Sequence, residues 1–501
     1  MLDTMEGRVH RMNQKRHYKR KEIEGNIAEL EHLIQEYNGD ATNIELQRVC
    51  NEWLNIVFLK IRNQQYELAE AGFYGMFHKN NNAFLNTDSA ILDFMFKVHK
   101  KEAQNGEESI LRLLTSPEQM QHIYFELKFL VRRFEYDLPY ELKEELFPFL
   151  QQYPISAYAI CEMIEFYVSK KEKVLNDVAV FLFQKECYEY VLPLLSSAYE
   201  TNPDDSETLY NMAYVLYAFQ ECETALQLIG RISNPSDRDR HLYHVITEGG
   251  DLPNLYSKAS DEKRDLPRLD KPDKSETIAF ILCVNEDRQF RECRYYIDHL
   301  LVPDGYSVEV IPIYQAKSIT SGYQQGMQRT NAKYKVYMHQ DVLCTNLYLL
   351  YDLISVFNQN PNIGMVGVAG CIKMPDTGVW WQAQEGRYYN LYQDKITLYE
   401  DNCRVSEELY NCGEYQEVQA LDGVFLATSK DVDWREDLFD GWHHYDVSQS
   451  MEFQRRGYKV VISKPHSLWI LHNEKCSSIL GKPYWQSAMC FLKEYMEDML
   501  Q

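Results

Sequence analysis

No apolar run in this sequence approaches the roughly 20 residues that a membrane-crossing helix needs, so a spanning segment is not expected. A CxxC pair is also missing. The 12 cysteines are scattered, and the nearest couple, Cys403 and Cys412, lacks metal-site spacing. That pattern argues against a cysteine-held zinc or a disulfide framework, and reduced thiols in the cytoplasm are the simplest account. No secretory leader is expected, because the first apolar stretch follows a long charged segment. Positive charge is short as well: 52 Lys and Arg stand against 75 Asp and Glu, a formal net charge of −23. A phosphate backbone is repelled by such a surface, which excludes nucleic acid as the main partner. One local exception is "RVHRMNQKRHYKRK", residues 8 to 21, with seven Lys and Arg. It could touch anionic lipid, peripherally at the inner membrane face, or nucleic acid, although a solvated helix face or loose start is the preferred reading.

What is present is an ordinary globular composition, 45% apolar and 25% charged, over 501 residues. A chain of this length exceeds one hydrophobic core, so about two or three domains are expected. Tyrosine is abundant, with 37 residues. Aromatic rings suit sugar faces, but most tyrosines line core edges.

From residue 20 to about 245 apolar residues recur at three- and four-residue steps with few Gly or Pro, as in "EGNIAELEHLIQEYN", "NEWLNIVFLKI" and "HIYFELKFLVRRF". This half reads as all-α. Inside it, "SETLYNMAYVLYAFQECETALQLI" from Ser206 carries large apolar Leu209, Met212 and Leu216, with small Ala213 and Ala225. Val191 stands 34 residues before Ala225 in the preceding "QKECYEYVLPLLSSAYETNPDD". Period and pattern resemble the tetratricopeptide repeat, with a weaker echo around Ala69. Stacked hairpins of that kind usually bind a peptide or protein; a purely structural helical domain is the alternative. Residues 248–275 replace periodicity with Pro, Gly and charge and read as a linker. The expected organisation is therefore a helical domain over 1–247, the linker, and a second domain over 276–501.

In that second domain the period switches. "TIAFILCVNE", "YSVEVIPIY", "YKVYMHQDV" and "IGMVGVAG" read as strands with helices between them, which specifies a mostly parallel, Rossmann-like sheet of the α/β class covered on both faces. Ligands of such sheets sit beyond the carboxyl ends of the strands. That rim holds Asn285, Tyr314 and the His339–Asp341 group, and a carboxylate there can hold a divalent cation against diphosphate oxygens. A later polar cluster contains Asp422, His443, His444, Asp446 and His472. Asp446 opens the helix "DVSQSMEFQRRG", where an N-cap is the bland reading. "DTGVWWQAQEGRYYNLYQDK" adds Trp380 and Trp381, either as a sugar-stacking surface or as a covered lid.

Taken jointly, "VNE", "SGYQQG", "HQDV", "MVGVAG", "DGVFLA", "GWHHYDVSQS" and the strand ending in "LHN" resemble the inverting glycosyltransferases of the family 2 type, which have the GT-A fold. The specific likeness is to the streptomycin-biosynthesis-type branch, over roughly residues 276 to 475. The resemblance implies a bacterial, cytoplasmic, nucleotide-sugar-dependent hexosyltransferase. It implies that Asp341 occupies the last acidic position of the DxD motif, binding metal and donor diphosphate, while His339 and Gln340 depart from the acidic pair. It further implies Asn285 and Glu286 as nucleotide contacts, and Asp446 as general base with Tyr445 in place of the usual Glu. His472 would be a further metal ligand or phosphate contact, and Asp422, Gly423, Trp381, His443 and His444 would lie on the acceptor side. The cofactor implied is Mn2+ or Mg2+, with His339 at the first DxD position bearing on whether the site uses metal in the usual way. The acceptor could be a protein, delivered or bound through the helical repeats, or a surface glycan. Two alternatives stand beside this reading: a helical scaffold with a degenerate, inactive transferase domain, and a nucleotidyltransferase. Against the latter, no Gly-rich, Lys-bearing triphosphate loop follows the first strand.

Overall fold

The computed structural model describes residues 56–77, 87–113, 140–255, 268–393, 403–405, 415–463, 468–472 and 482–499, apart from 107, 154, 168–170 and 385, together with residues 126 and 129. The basic stretch 8–21, the helical pattern at 24–38, most of that at 122–134 and the middle of the expected linker, 256–267, lie outside the described residues. The chain divides into two compact units, Met1–Lys263 and Arg264–Gln501.

The described part of the first unit is helical. Its helices are α1 (Tyr66–Phe77), α2 (Thr87–Asn105), α3 (Tyr140–Gln152), α4 (Ala157–Tyr167), α5 (Lys171–Gln184), α6 (Tyr188–Thr201), α7 (Ser206–Ala218), α8 (Cys222–Ile229) and α9 (Asp237–Glu248). Asp205 caps α7 by accepting from the Thr208 amide at 2.8 Å, and Ser236 and Asp239 form a capping box on α9. Ala213 and Ala225 are fully buried, where α7 packs on α8, and Val191 is equally buried on α6. The inward face of α7 is Leu209, Tyr210, Ala213 and Tyr214, whereas Met212 and Leu216 are only half-buried. Neighbouring hairpins are keyed by a buried polar contact. Asn176 of α5 donates to the Thr208 hydroxyl at 2.7 Å and accepts from Asn211 at 2.9 Å, which fixes the register of α5 on α7.

The second unit alternates strands and helices: β1 (Glu276–Val284), α10 (Asp287–Asp298), β2 (Tyr306–Tyr314), α11 (Ile319–Gln328), β3 (Tyr334–Met338), β4 (Val342–Leu343), α12 (Leu349–Gln359), β5 (Ile363–Gly367) and β6 (Ala369–Cys371). There follow β7 (Arg387–Gln393), β8 (Cys403–Val405), β9 (Tyr415–Glu417), β10 (Ala420–Leu421), β11 (Phe425–Thr428), α13 (Tyr445–Arg455), β12 (Lys459–Ser463), β13 (Leu471–His472) and α14 (Lys482–Met499). The main sheet has the order β2-β1-β3-β11-β5-β12-β9. Strands β2, β1, β3, β5 and β12 run one way, while β11 and β9 run against them. The sheet is thus mostly parallel but mixed. β11 arrives directly from β10 without a crossover helix, so nothing constrains it to be parallel, and it slots antiparallel between β3 and β5. α11 lies tightly on β1, because a Cβ at Gly326 would land on Ile281 and one at Gly322 on Cys283. A smaller sheet, β10-β6-β7-β13-β4 with β8 beside β7, carries the rest of the rim.

Much of the tyrosine content is core. Tyr323, Tyr337 and Trp434 pack with ring centroids 5.0 to 5.1 Å apart, and Tyr445 joins them at 5.9 Å from Tyr323. This aromatic layer underlies the rim described next.

Candidate functional site

The main sheet sets the first group of residues. β3 is buried throughout and ends at Met338, so His339, Gln340 and Asp341 emerge half-buried at its carboxyl end. β4 follows at once and pairs antiparallel with β13, with His472 opposite Val342. That pairing brings two positions 131 residues apart together: His472 Nε2 lies 3.7 Å from Asp341 Oδ1. His339, Asp341 and His472 offer ligand atoms within 4.8 Å of one another. Two imidazoles and one carboxylate, half-buried and so reachable from solvent, form a donor set that fits a divalent ion of the borderline kind. Gln340 is committed elsewhere: its Oε1 accepts from the amides of Asn285 and Glu286 at 3.0 and 3.1 Å, and its Nε2 donates to Gln289 and Asn285. It is a strut that fixes the end of β1 against the end of β3.

Beside this group lies a cavity of about 410 Å³ beyond the carboxyl ends of β1 and β2. Cys283, Asn285, Asp287, Tyr314, Gln315 and Trp442 are among the residues that line it. Tyr314 and Trp442 are 52% and 50% exposed, unusually open for large rings. Two such faces on one cavity suit a flat ligand.

The third component is the start of α13. The helix begins one residue before Asp446, and its N-cap position is His444, so Asp446 is not the N-cap. Asp446 instead sits in the first turn, where Oδ2 accepts from the Gly423 amide at 2.8 Å. Burial first, and the neighbouring Asp422 carboxyl second, push its pKa up to about 7, against the lowering effect of backbone N–H groups. Asp422 is itself held, accepting from the Val424 amide at 2.9 Å and from Trp380 Nε1 at 3.1 Å. Tyr445 turns the opposite way, and its hydroxyl lies 2.6 Å from His339 Nε2. His444 adopts φ +58°, an uncommon conformation for a residue with a side chain.

Three of the residues expected on the acceptor side, Trp381, His443 and His444, gather around a residue that sequence reading missed, whereas Asp422 and Gly423 lie against Asp446 and Tyr445. Tyr484, near the start of α14, has ring centroids 5.6 Å from Trp381, 5.2 Å from His443 and 4.7 Å from His444. His444 is buried against it, which lowers its pKa to about 4, with the adjacent His443 adding to the effect. Trp380 is buried and Trp381 half-buried, so the two tryptophans divide: one orients Asp422, the other stays open. Asn285, His339, Asp341 and His472 thus stand along one rim, and Asp422, Gly423 and Asp446 adjoin it through Tyr445. The glutamate side chain of Glu286 is half-buried, and only its amide is drawn into the Gln340 strut. Trp442 and Tyr484 were not among the expected site residues, and Tyr445 was expected only as the replacement for the usual Glu, with no role of its own. Their signal was weak, since an aromatic residue beside a polar motif is common at core edges.

Residues 279–495 match the model described as "Glycosyltransferase like family". This unit carries a glycosyltransferase-like family domain. With its mostly parallel sheet and helices, it fits the GT-A fold. Among solved structures, the chain is similar to the mannosyltransferase PcManGT from Pyrobaculum calidifontis, in complex with GDP-Man and Mn2+, at 11% identity over 54% of this chain and 70% of that one, with a TM-score of 0.27. So loose a superposition carries no assignment of donor or metal to this chain. No curated protein is significantly similar to it. No helix among the described residues is long and apolar enough to cross a membrane.

Proposed function

We propose that this transferase domain moves a hexose from a nucleoside diphosphate donor to an acceptor hydroxyl with inversion. The observation that carries the reading is one arrangement: a carboxyl with a raised pKa, Asp446, follows directly on a tyrosine whose hydroxyl touches the His339–Asp341–His472 group. Inverting transfer needs a base on one side of the anomeric carbon and stabilisation of the departing diphosphate on the other.

Asp446, once ionised, takes the proton of the acceptor hydroxyl as its oxygen attacks the anomeric carbon, and the bond to the donor phosphate breaks on the opposite face. His339, Asp341 and His472 would hold a divalent cation, which when bound would supply positive charge against the leaving diphosphate. Two imidazoles suit borderline ions best, and of the two ions expected, Mn2+ as a transition ion tolerates them better than Mg2+. The cavity takes the nucleoside, with Tyr314 and Trp442 against the base and Asn285, Glu286 and Asp287 near the ribose. Trp381, His443 and Tyr484 receive the acceptor next to Asp446, with the Gly423 amide fixing the carboxyl, the Asp422 charge raising its pKa, and His444 backing the ring cluster. A tetratricopeptide-like first unit would bring a protein acceptor or the partner that delivers one.

The test is direct. Full-length protein with Mn2+ or Mg2+ is incubated with a panel of nucleotide sugars, and binding and nucleoside diphosphate release are measured. At least one donor should be bound and slowly hydrolysed; if none is, the enzyme reading fails.

A further inference from the structure

Tyr445 occupies a position that the transfer chemistry does not itself explain. It belongs to the helix that carries Asp446, yet its hydroxyl reaches His339 Nε2 at 2.6 Å across to the end of β3. The ring is 5% exposed and wedged against Tyr323 and Trp434, with centroids 5.9 and 6.3 Å away, so the hydroxyl has little freedom to go elsewhere. Room for it comes from Gly423. A Cβ built at that position would fall on the Tyr445 hydroxyl and the ring carbons beside it, so any side chain there would push the phenol off His339. The same glycine gives its amide to Asp446 Oδ2 at 2.8 Å. One residue without a side chain thus seats two consecutive side chains of α13, the phenol on one side and the carboxyl on the other.

A hydroxyl bonded to one ring nitrogen of an imidazole fixes the ring's rotation and biases which nitrogen carries the proton. Such outer partners commonly govern how well a histidine binds a metal. We propose that Tyr445 is a positioning residue for the cation site, a latch that holds His339 in its ligating orientation and makes that orientation depend on the seating of α13 at Gly423. The inference rests on the reading of His339, Asp341 and His472 as cation ligands. Tyr445 touches neither donor nor acceptor in this account, and its effect passes through His339. Its consequence is that the cation site and the base are assembled together, since displacement of the first turn of α13 disturbs both.

The experiment is Mn2+ binding to the full-length protein, followed by calorimetry and by the Mn2+ electron paramagnetic resonance spectrum, for the parent, Tyr445→Phe and Gly423→Ala, with thermal unfolding of each. Phenylalanine keeps the packing against Tyr323 and Trp434 and removes only the hydroxyl. The expected result is that Tyr445→Phe weakens Mn2+ by about 10- to 100-fold and alters the spectrum, while still unfolding cooperatively. Gly423→Ala should weaken it at least as much although its hydroxyl remains. If the parent binds Mn2+ and Tyr445→Phe binds it equally well with the same spectrum, the latch is refuted and the cation reading stands. If the parent binds no Mn2+, the cation reading falls and the latch falls with it.

Discussion

Asp446 is a carboxyl that folding holds well above its ordinary range, and the sign of that shift has two consequences. As a base it must be ionised, so the rate of transfer at low donor should fall below pH about 7 and level off above it. Asp422, Tyr323, Tyr445 and Tyr484 face it electrostatically, and among these Asp422 contributes the charge that raises it. Asp422→Asn should therefore move the acid limb of the pH–rate profile to lower pH; an unmoved limb would assign it to another group. Stability runs the other way. The folded pKa lies above the unfolded value of about 3.9, so between pH about 4 and about 7 the folded chain binds a proton that the unfolded chain releases, and stability declines as pH rises through that window. Asp446→Asn should flatten this decline in a comparison of Tm at pH 5 and pH 8, while lowering transfer by about 10²- to 10⁴-fold with donor binding retained. Transfer at the normal rate by this variant would remove Asp446 from the base role. At the cation group, His472→Ala takes away one of three ligands, and Mn2+ affinity should drop at least about tenfold.

At the scale of elements, the first turn of α13 is held at Gly423, and the rest of the helix is locked to α14 by Glu452. Its buried carboxylate accepts from Arg435 at 3.1 Å, Arg455 at 3.0 Å, Arg456 at 2.7 Å and the Tyr495 hydroxyl at 3.0 Å, and these charges hold it below the usual carboxylate range. Glu452→Gln keeps the shape but loses the charge that three guanidinium groups share, which should cost about 2 to 3 kcal/mol in urea denaturation. Because α14 also carries Tyr484, this variant should raise the KM for acceptor more than the KM for donor. Little of this was legible in the sequence. The helix of Asp446 could be read from the stretch "DVSQSMEFQRRG", in which glycine is a common stop, and Gly457 lies just beyond the helix end with φ +80°. The contacts of Glu452 reach residues on other segments, and no local pattern announces them. The N-cap reading of Asp446 failed for a related reason: a favoured cap residue one position inside the helix found a better donor in Gly423, 23 positions away.

For the whole molecule, the two units are separately compact, and the transferase-like domain lies within the second. A chain of residues 264–501 should therefore unfold cooperatively on its own and retain donor hydrolysis. Selective loss of transfer to protein acceptors on removing the first unit would support a delivery role for the helices, and equal activity on every acceptor would sink it. A donor screen on both forms makes the comparison quantitative.

What the sequence determined by itself was set by local physics. Helical and strand periods identified the all-α and α/β halves, and the break in polarity after Met338 and the alternation of strand and helix put the strand-end residues on one rim. Tertiary structure decided the pairings between distant segments. The antiparallel insertion of β11, the register that lays His472 beside Asp341, and the space at Gly423 through which Tyr445 meets His339 depend on which strand edge is open and on a side chain that is absent. Those are properties of packed surfaces, and spacing along the chain does not encode them.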